Sequence, residues 1–74
     1  MITYTFNQII ALSKEDFKAT FLNKNVEIIK DQTITGKVVD ILVSCDTERL
    51  PIGFILNDGT EIDVCVEGCT VTIM

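Results

Sequence analysis

From residue 26 to the C-terminus the apolar side chains tend to recur at every second position, and this rhythm constrains the fold more than any other feature of the chain. Alternation puts one set of side chains on each face of an extended strand, so the apolar set is buried only if the strand joins a sheet. Val26-Glu27-Ile28 alternates over a short strand. Ile34 to Cys45 is a longer stretch dominated by Val, Ile and Leu. Within it Ile34 and Val38 share one phase, whereas Val39, Ile41 and Val43 share the other, which predicts a β-bulge near Val38-Val39. A long strand that bulges and bends can serve two sides of a small barrel, and Gly36 allows close backbone approach there. Residues 46–51, Asp-Thr-Glu-Arg-Leu-Pro, read as a polar loop.

Asn57-Asp58-Gly59 separates Ile52–Leu56 from Thr60–Val66, and side-chain parity decides the register of this hairpin. A two-residue turn at Asp58-Gly59 would pair Leu56 with Glu61 and Phe54 with Asp63, mixing apolar and charged residues on one face. A three-residue loop with Gly59 left-handed pairs Leu56 with Thr60 and Phe54 with Ile62 instead. Ile52, Phe54, Ile62 and Val64 then line one face, and Glu61, Asp63 and Cys65 point the other way. Glu67-Gly68 is read as a last two-residue hairpin turn, pairing Cys65 with Thr70 and Cys69 with Val66. Val71 and Ile73 close the core.

Before residue 25 the pattern is mixed. Ile2, Tyr4 and Phe6 alternate with Thr3 and Thr5, which predicts a strand. Residues 7–12 follow neither period. Ser13 can cap a helix over residues 14–22 by accepting the amide of Asp16, and Glu15 and Asp16 sit where the helix dipole favours negative charge. Phe17 and Phe21 share one face of that helix with Leu22 beside them, and Asn23 is a left-handed stop. A chain of 74 residues is too short for two cores. The expectation is one domain over 1–74, with an N-terminal strand and helix (1–24) and a strand meander (25–74). Its class is mostly β: a small SH3-like antiparallel barrel of about five strands with one short N-terminal helix.

Two segments resemble the Sm-like family, a version of this barrel with an N-terminal helix. Val26-Glu27-Ile28 through Asp31, Gly36 and Val38 is similar to the family's first motif, in which a strand, a turn and a glycine lead into a long bent second strand. Val66-Glu67-Gly68-Cys69-Thr70-Val71-Thr72-Ile73 is similar to the second motif, in which a basic residue, Gly and Asn or Asp stand between apolar positions. The resemblance covers about residues 13–74. It implies the barrel, and in the family it implies RNA binding and rings joined by strand edges. The family's basic residue and Asn help hold RNA bases; here those positions are Glu67 and Cys69. The Asp and Asn that end the first motif have no counterparts after Val38. The resemblance therefore supports the fold and undercuts RNA binding.

The chemistry available is sparse. There is no His, which removes the commonest general base near neutral pH, together with His-based metal sites and Cys–His dyads. Cys45, Cys65 and Cys69 lack the spacing and the fourth soft ligand of structural zinc. They read as reduced, small apolar fillers, and a Cys65–Cys69 bridge is not expected because the two face opposite sides of the hairpin. No phosphate loop or nucleophile elbow occurs. The expectation is a protein without catalytic activity, metal or cofactor. No apolar run approaches the roughly 18 residues of a membrane span, and residues 1–6 carry no Lys or Arg of a signal peptide, so a cytoplasmic location is expected. With 6 basic against 11 acidic residues the net charge is −5, which repels nucleic acid and suits a basic protein partner.

Two sets of residues are candidates for binding. Asp58, Glu61, Asp63 and Glu67 form an acidic set on an outward face, which is either an ordinary solvated sheet surface or a docking patch. Ile29, Leu42, Leu50 and Ile55 fall out of phase with the core; they either pack under the helix or mark an interface, homo-oligomeric contacts included. Three functions compete. The first is a protein-interaction module or inhibitor acting through a sheet face or strand edge. The second is an Sm-like RNA-binding ring with altered contact residues. The third is a phage or mobile-element inhibitor whose carboxylates imitate phosphates.

Overall fold

A computed structural model describes residues 1–46 and 48–74. The described residues form six strands and two helices in the order β1 (Ile2–Thr5), α1 (Phe6–Ile10), α2 (Lys14–Phe21), β2 (Asn25–Ile29), β3 (Thr33–Val43), β4 (Pro51–Leu56), β5 (Glu61–Asp63) and β6 (Thr70–Ile73). The strands make one antiparallel sheet in the order β1-β6-β2-β3-β4-β5. The mostly β, small barrel-like fold is therefore as expected, with one helix more than the sequence suggested.

The bend that curls this sheet lies in β3, which belongs to both halves. Its first part pairs with β2 and its second with β4, and the register shifts between Val38 and Asp40 and again between Leu42 and Val43. Val39 is the extra residue of the first bulge. The alternation puts it in phase with Ile41 and Val43, but it is 47% exposed, because the unpaired residue of a bulge is free to turn away from the ladder. Gly36 lies where β3 crosses β4: a side-chain carbon there would come within 3.2 Å of Leu56 Cδ1. Gly53 is tighter, because a Cβ would fall inside the Ile62 carbonyl group of β5.

The hairpin between β4 and β5 has the three-residue loop that parity required. Phe54 pairs with Ile62, Leu56 N–H donates to the Thr60 carbonyl (2.8 Å), and Gly59 is left-handed at φ 88°. Of the hairpin expected across Glu67-Gly68 only the turn itself forms; Cys65 and Thr70 are not strand partners, Thr70 pairing with Thr5 and Ile29 instead. Cys69 N–H closes that turn on the Val66 carbonyl at 3.1 Å, with Gly68 at φ 87°. The chain then leaves β5 and runs between β2 and β1. Of the polar loop expected over 46–51, Thr47 lies outside the described residues and Pro51 opens β4.

α2 begins as the capping argument requires: Ser13 Oγ accepts the Asp16 amide at 3.1 Å, and Asn23 at φ 66° turns the chain into β2. The N-terminal strand stops at Thr5, one residue short of the alternation, because Phe6 starts α1. The Thr5 amide donates to Gln8 Oε1 at 2.9 Å. α2 seals one mouth of the curled sheet by aromatic packing. Phe17 and Phe21 stand edge to face (centroids 5.2 Å apart), and Phe54 of β4 lies 5.0 Å from Phe21. Tyr4 of β1 meets Phe21 at 5.2 Å. Such pairs contribute beyond the area they bury. Ile9, Val26, Ile28, Val38, Leu56, Ile62, Val64, Cys69 and Val71 complete the interior.

Candidate functional site

Pairing register sorts the second half of the sheet into two faces. Ile41, Phe54 and Ile62 form one cross-strand row and face the core. The neighbouring rows, Asp40–Ile55–Glu61 and Leu42–Gly53–Asp63, belong to the outer face. Asp40 and Glu61 are exposed there, whereas Leu42, Ile55 and Asp63 are half-buried. Of the four apolar candidates, Leu42 and Ile55 are thus diagonal neighbours on this face, Leu42 standing opposite Gly53, which carries no side chain, and Ile55 two residues further along β4. Glu61 and Asp63 stand along the β5 margin of this strip.

The acidic set does not form one continuous face. Asp58 is at the hairpin tip, its carboxylate accepting the Thr60 amide at 3.0 Å, which holds its carboxyl below the usual carboxylate range. Glu61 and Asp63 line a hollow of about 230 Å³ with Lys30 and Asp31. Glu67 lines a second, of about 450 Å³, with the same Lys30 and Asp31. Lys30 therefore sits among the carboxylates, and its Nζ donates to the Asp63 backbone carbonyl at 2.8 Å. Asp63 is tied down twice, because its carboxylate also accepts the Cys65 amide at 2.9 Å. Asp40 was not singled out in the sequence, since its side of β3 can be read only after the bulge is counted.

The remaining apolar candidates lie elsewhere. Ile29, 42% exposed, is paired with Thr33 and Thr70 on the outer face of the other half-sheet. Around it Thr3, Thr5, Thr35 and Thr72 occupy the same face. Leu50 borders a groove of about 300 Å³ beside the helices, together with Ile9, Ile10, Leu12 and Phe17.

Comparison with known protein families, with characterised proteins and with solved structures finds no match.

The three thiols are free and occupy three environments: Cys45 exposed, Cys65 half-buried, Cys69 buried. Only Cys69 has the full filler role expected of all three. Cys65 was expected to point outward with Glu61 and Asp63. Instead both Val64 and Cys65 amides bond the Ile52 carbonyl (2.9 and 3.2 Å), a local break in the ladder that turns Cys65 Sγ toward the Pro51 carbonyl at 3.7 Å. Burial raises both the Cys65 and Cys69 thiol pKa values; the Asp63 charge adds to this at Cys65, whereas at Cys69 the Lys30 charge opposes it ahead of the smaller Asp63 effect. Neither is a ready nucleophile. Among the described residues no helix is long and apolar enough to cross a membrane.

Proposed function

We propose that the protein is a small interaction module that engages a basic, partly apolar protein segment through the outer face of β3, β4 and β5. The observation that carries this reading is the strip of Leu42 and Ile55 with Glu61 and Asp63 along its β5 margin. Apolar surface supplies association energy and the flanking carboxylates supply orientation and partner choice. A net charge of −5 adds long-range attraction for a cationic partner.

Affinity capture from the native host, with wild-type protein and the Ile55→Lys/Glu61→Lys variant as paired baits, tests it. A stoichiometric partner with a basic surface should be held by the wild type and lost by the variant, the circular dichroism spectrum being retained. Recovery of the same partner by both baits, or of none by the wild type, would reject this face as the docking surface. The Sm-like RNA-binding alternative loses support from Cys69. At the position where the family places a base-contacting Asn, this thiol is 1% exposed.

A further inference from the structure

Three of the six basic residues of this acidic chain, Lys14, Lys18 and Arg49, line one hollow of about 250 Å³ beside β3. That hollow shares Lys14 and Pro51 with the groove lined by Ile9, Ile10, Leu12, Phe17, Leu50 and Ile52. The two hollows adjoin at these residues, one apolar and the other cationic. We propose that together they bind a single free acyl chain bearing a carboxylate, with the hydrocarbon in the groove and the headgroup among Lys14, Lys18 and Arg49.

The groove favours a hydrocarbon over a peptide. The polar side-chain atoms facing it besides Lys14 are the Ser13 hydroxyl, already accepting the Asp16 amide, and the Cys65 thiol, already directed at the Pro51 carbonyl. A peptide laid there would have its own N–H and C=O groups desolvated without partners, which is costly. A methylene chain has no such groups and gains from burial. Ile10 and Leu50, 53% and 43% exposed, are the apolar surface a ligand would cover. At the cationic end Lys14 Nζ donates to the Glu48 backbone carbonyl (2.6 Å), a neutral acceptor, and Asp46 outside the hollow offsets part of its charge. Among the described residues the carboxylate lining that hollow is Asp40, which accepts the Ile41 amide at 2.8 Å. Three cations against Asp40 within the lining and Asp46 beside it still leave a net positive site for a carboxylate headgroup.

The test is a titration of the uniformly nitrogen-15-labelled full chain with hexanoate, octanoate and decanoate, each below its micelle concentration, followed by amide chemical shifts. Shifts should be confined to residues lining the two hollows. Affinity should rise with chain length by up to about fourfold per methylene, the factor that corresponds to about 0.8 kcal/mol for burying one CH₂. Decyltrimethylammonium, the same chain with a cationic head, should bind roughly tenfold more weakly than decanoate. The variant Lys14→Gln/Lys18→Gln/Arg49→Gln alters exposed side chains only, and it should lose a similar factor for decanoate while keeping a dispersed spectrum. Affinity independent of chain length, equal binding of the two headgroups, or unchanged decanoate binding by the variant would each overturn the proposal. Binding confined to anionic phospholipid vesicles, with none to decanoate, would overturn it in favour of a membrane surface.

Discussion

At Gly53 the backbone of β5 occupies the space a side chain would need, and the obstacle is a carbonyl group rather than a side chain that can rotate away. Gly53→Ala is therefore expected to cost about 3 kcal/mol, the upper range for overpacking, read as a lower urea midpoint. Gly59 and Gly68, both at positive φ, have open space around them and are needed for conformation alone. Ser13→Ala removes the hydroxyl that accepts the Asp16 amide, which should cost about 1 kcal/mol by the same measurement. Titration acts at both ends of the pH scale. Asp46 is held below its usual range by the Ser44 hydroxyl and the Arg49 amide, and Asp58 by Thr60. A folded carboxyl of depressed pKa stabilises above the unfolded value, so this contribution is lost as pH falls below about 4. The Cys65 and Cys69 thiols are raised by burial, so their neutral forms favour the fold until pH rises past the unfolded thiol value of about 8.5. Thermal midpoints should therefore be flat near neutrality and decline on both sides, and Cys65→Ala/Cys69→Ala should weaken the alkaline decline. A decline of the same steepness in that variant would assign it to other groups. Alkylation at pH 8 should modify exposed Cys45 first and buried Cys69 last, the latter slowed roughly a hundredfold or more because it needs local opening.

At the scale of elements, β5 is a three-residue edge strand, and Lys30 from the end of β2 covers its outward carbonyl at Asp63. This bond links the turn after β2 to the far edge of the sheet and helps the curl close. Lys30→Met keeps the stem and removes the donor, leaving a part-buried carbonyl unpaired. It is expected to cost about 1–2 kcal/mol and to speed amide exchange in β5 more than in β2. Uniform acceleration across both strands would mean that Lys30 supports the whole sheet and not this edge. The helices show where local signals suffice and where they do not. α2 carries a cap, acids in its first turn and two phenylalanines four residues apart, so its limits could be read to within one residue. α1 has five residues and no acid in its first turn. Its signal is Thr5-x-x-Gln8, a capping-box spelling, masked because Ile2, Tyr4 and Phe6 continue a strand-like alternation into it.

For the whole molecule the decisive pairing is that of the two ends of the chain. Ile2 opposes Ile73, and β6 sits between β1 and β2, so the sheet is completed only when residues some seventy positions apart meet. Non-local pairing of this kind carries a loop-closure cost before it is rewarded. Refolding monitored by stopped-flow is accordingly expected in milliseconds to seconds, and a microsecond relaxation would contradict it. The radius of gyration, 11.0 Å, matches the roughly 11 Å expected of a compact domain of this length.

The sequence by itself determined what depends on neighbours along the chain. Parity settled the Phe54–Ile62 register and the left-handed Gly59, and the phase slip located the bulge at Val38-Val39. Ser13 and Asn23 bounded α2. Only the tertiary structure decided what depends on which strands meet. It took β6 away from β5, set Lys30 among the carboxylates, joined Leu42 to Ile55 and left Ile29 and Leu50 apart. It also gathered Lys14, Lys18 and Arg49. The physical reason is that a two-residue period assigns each side chain to a face, whereas the neighbour across that face is chosen by closing the sheet.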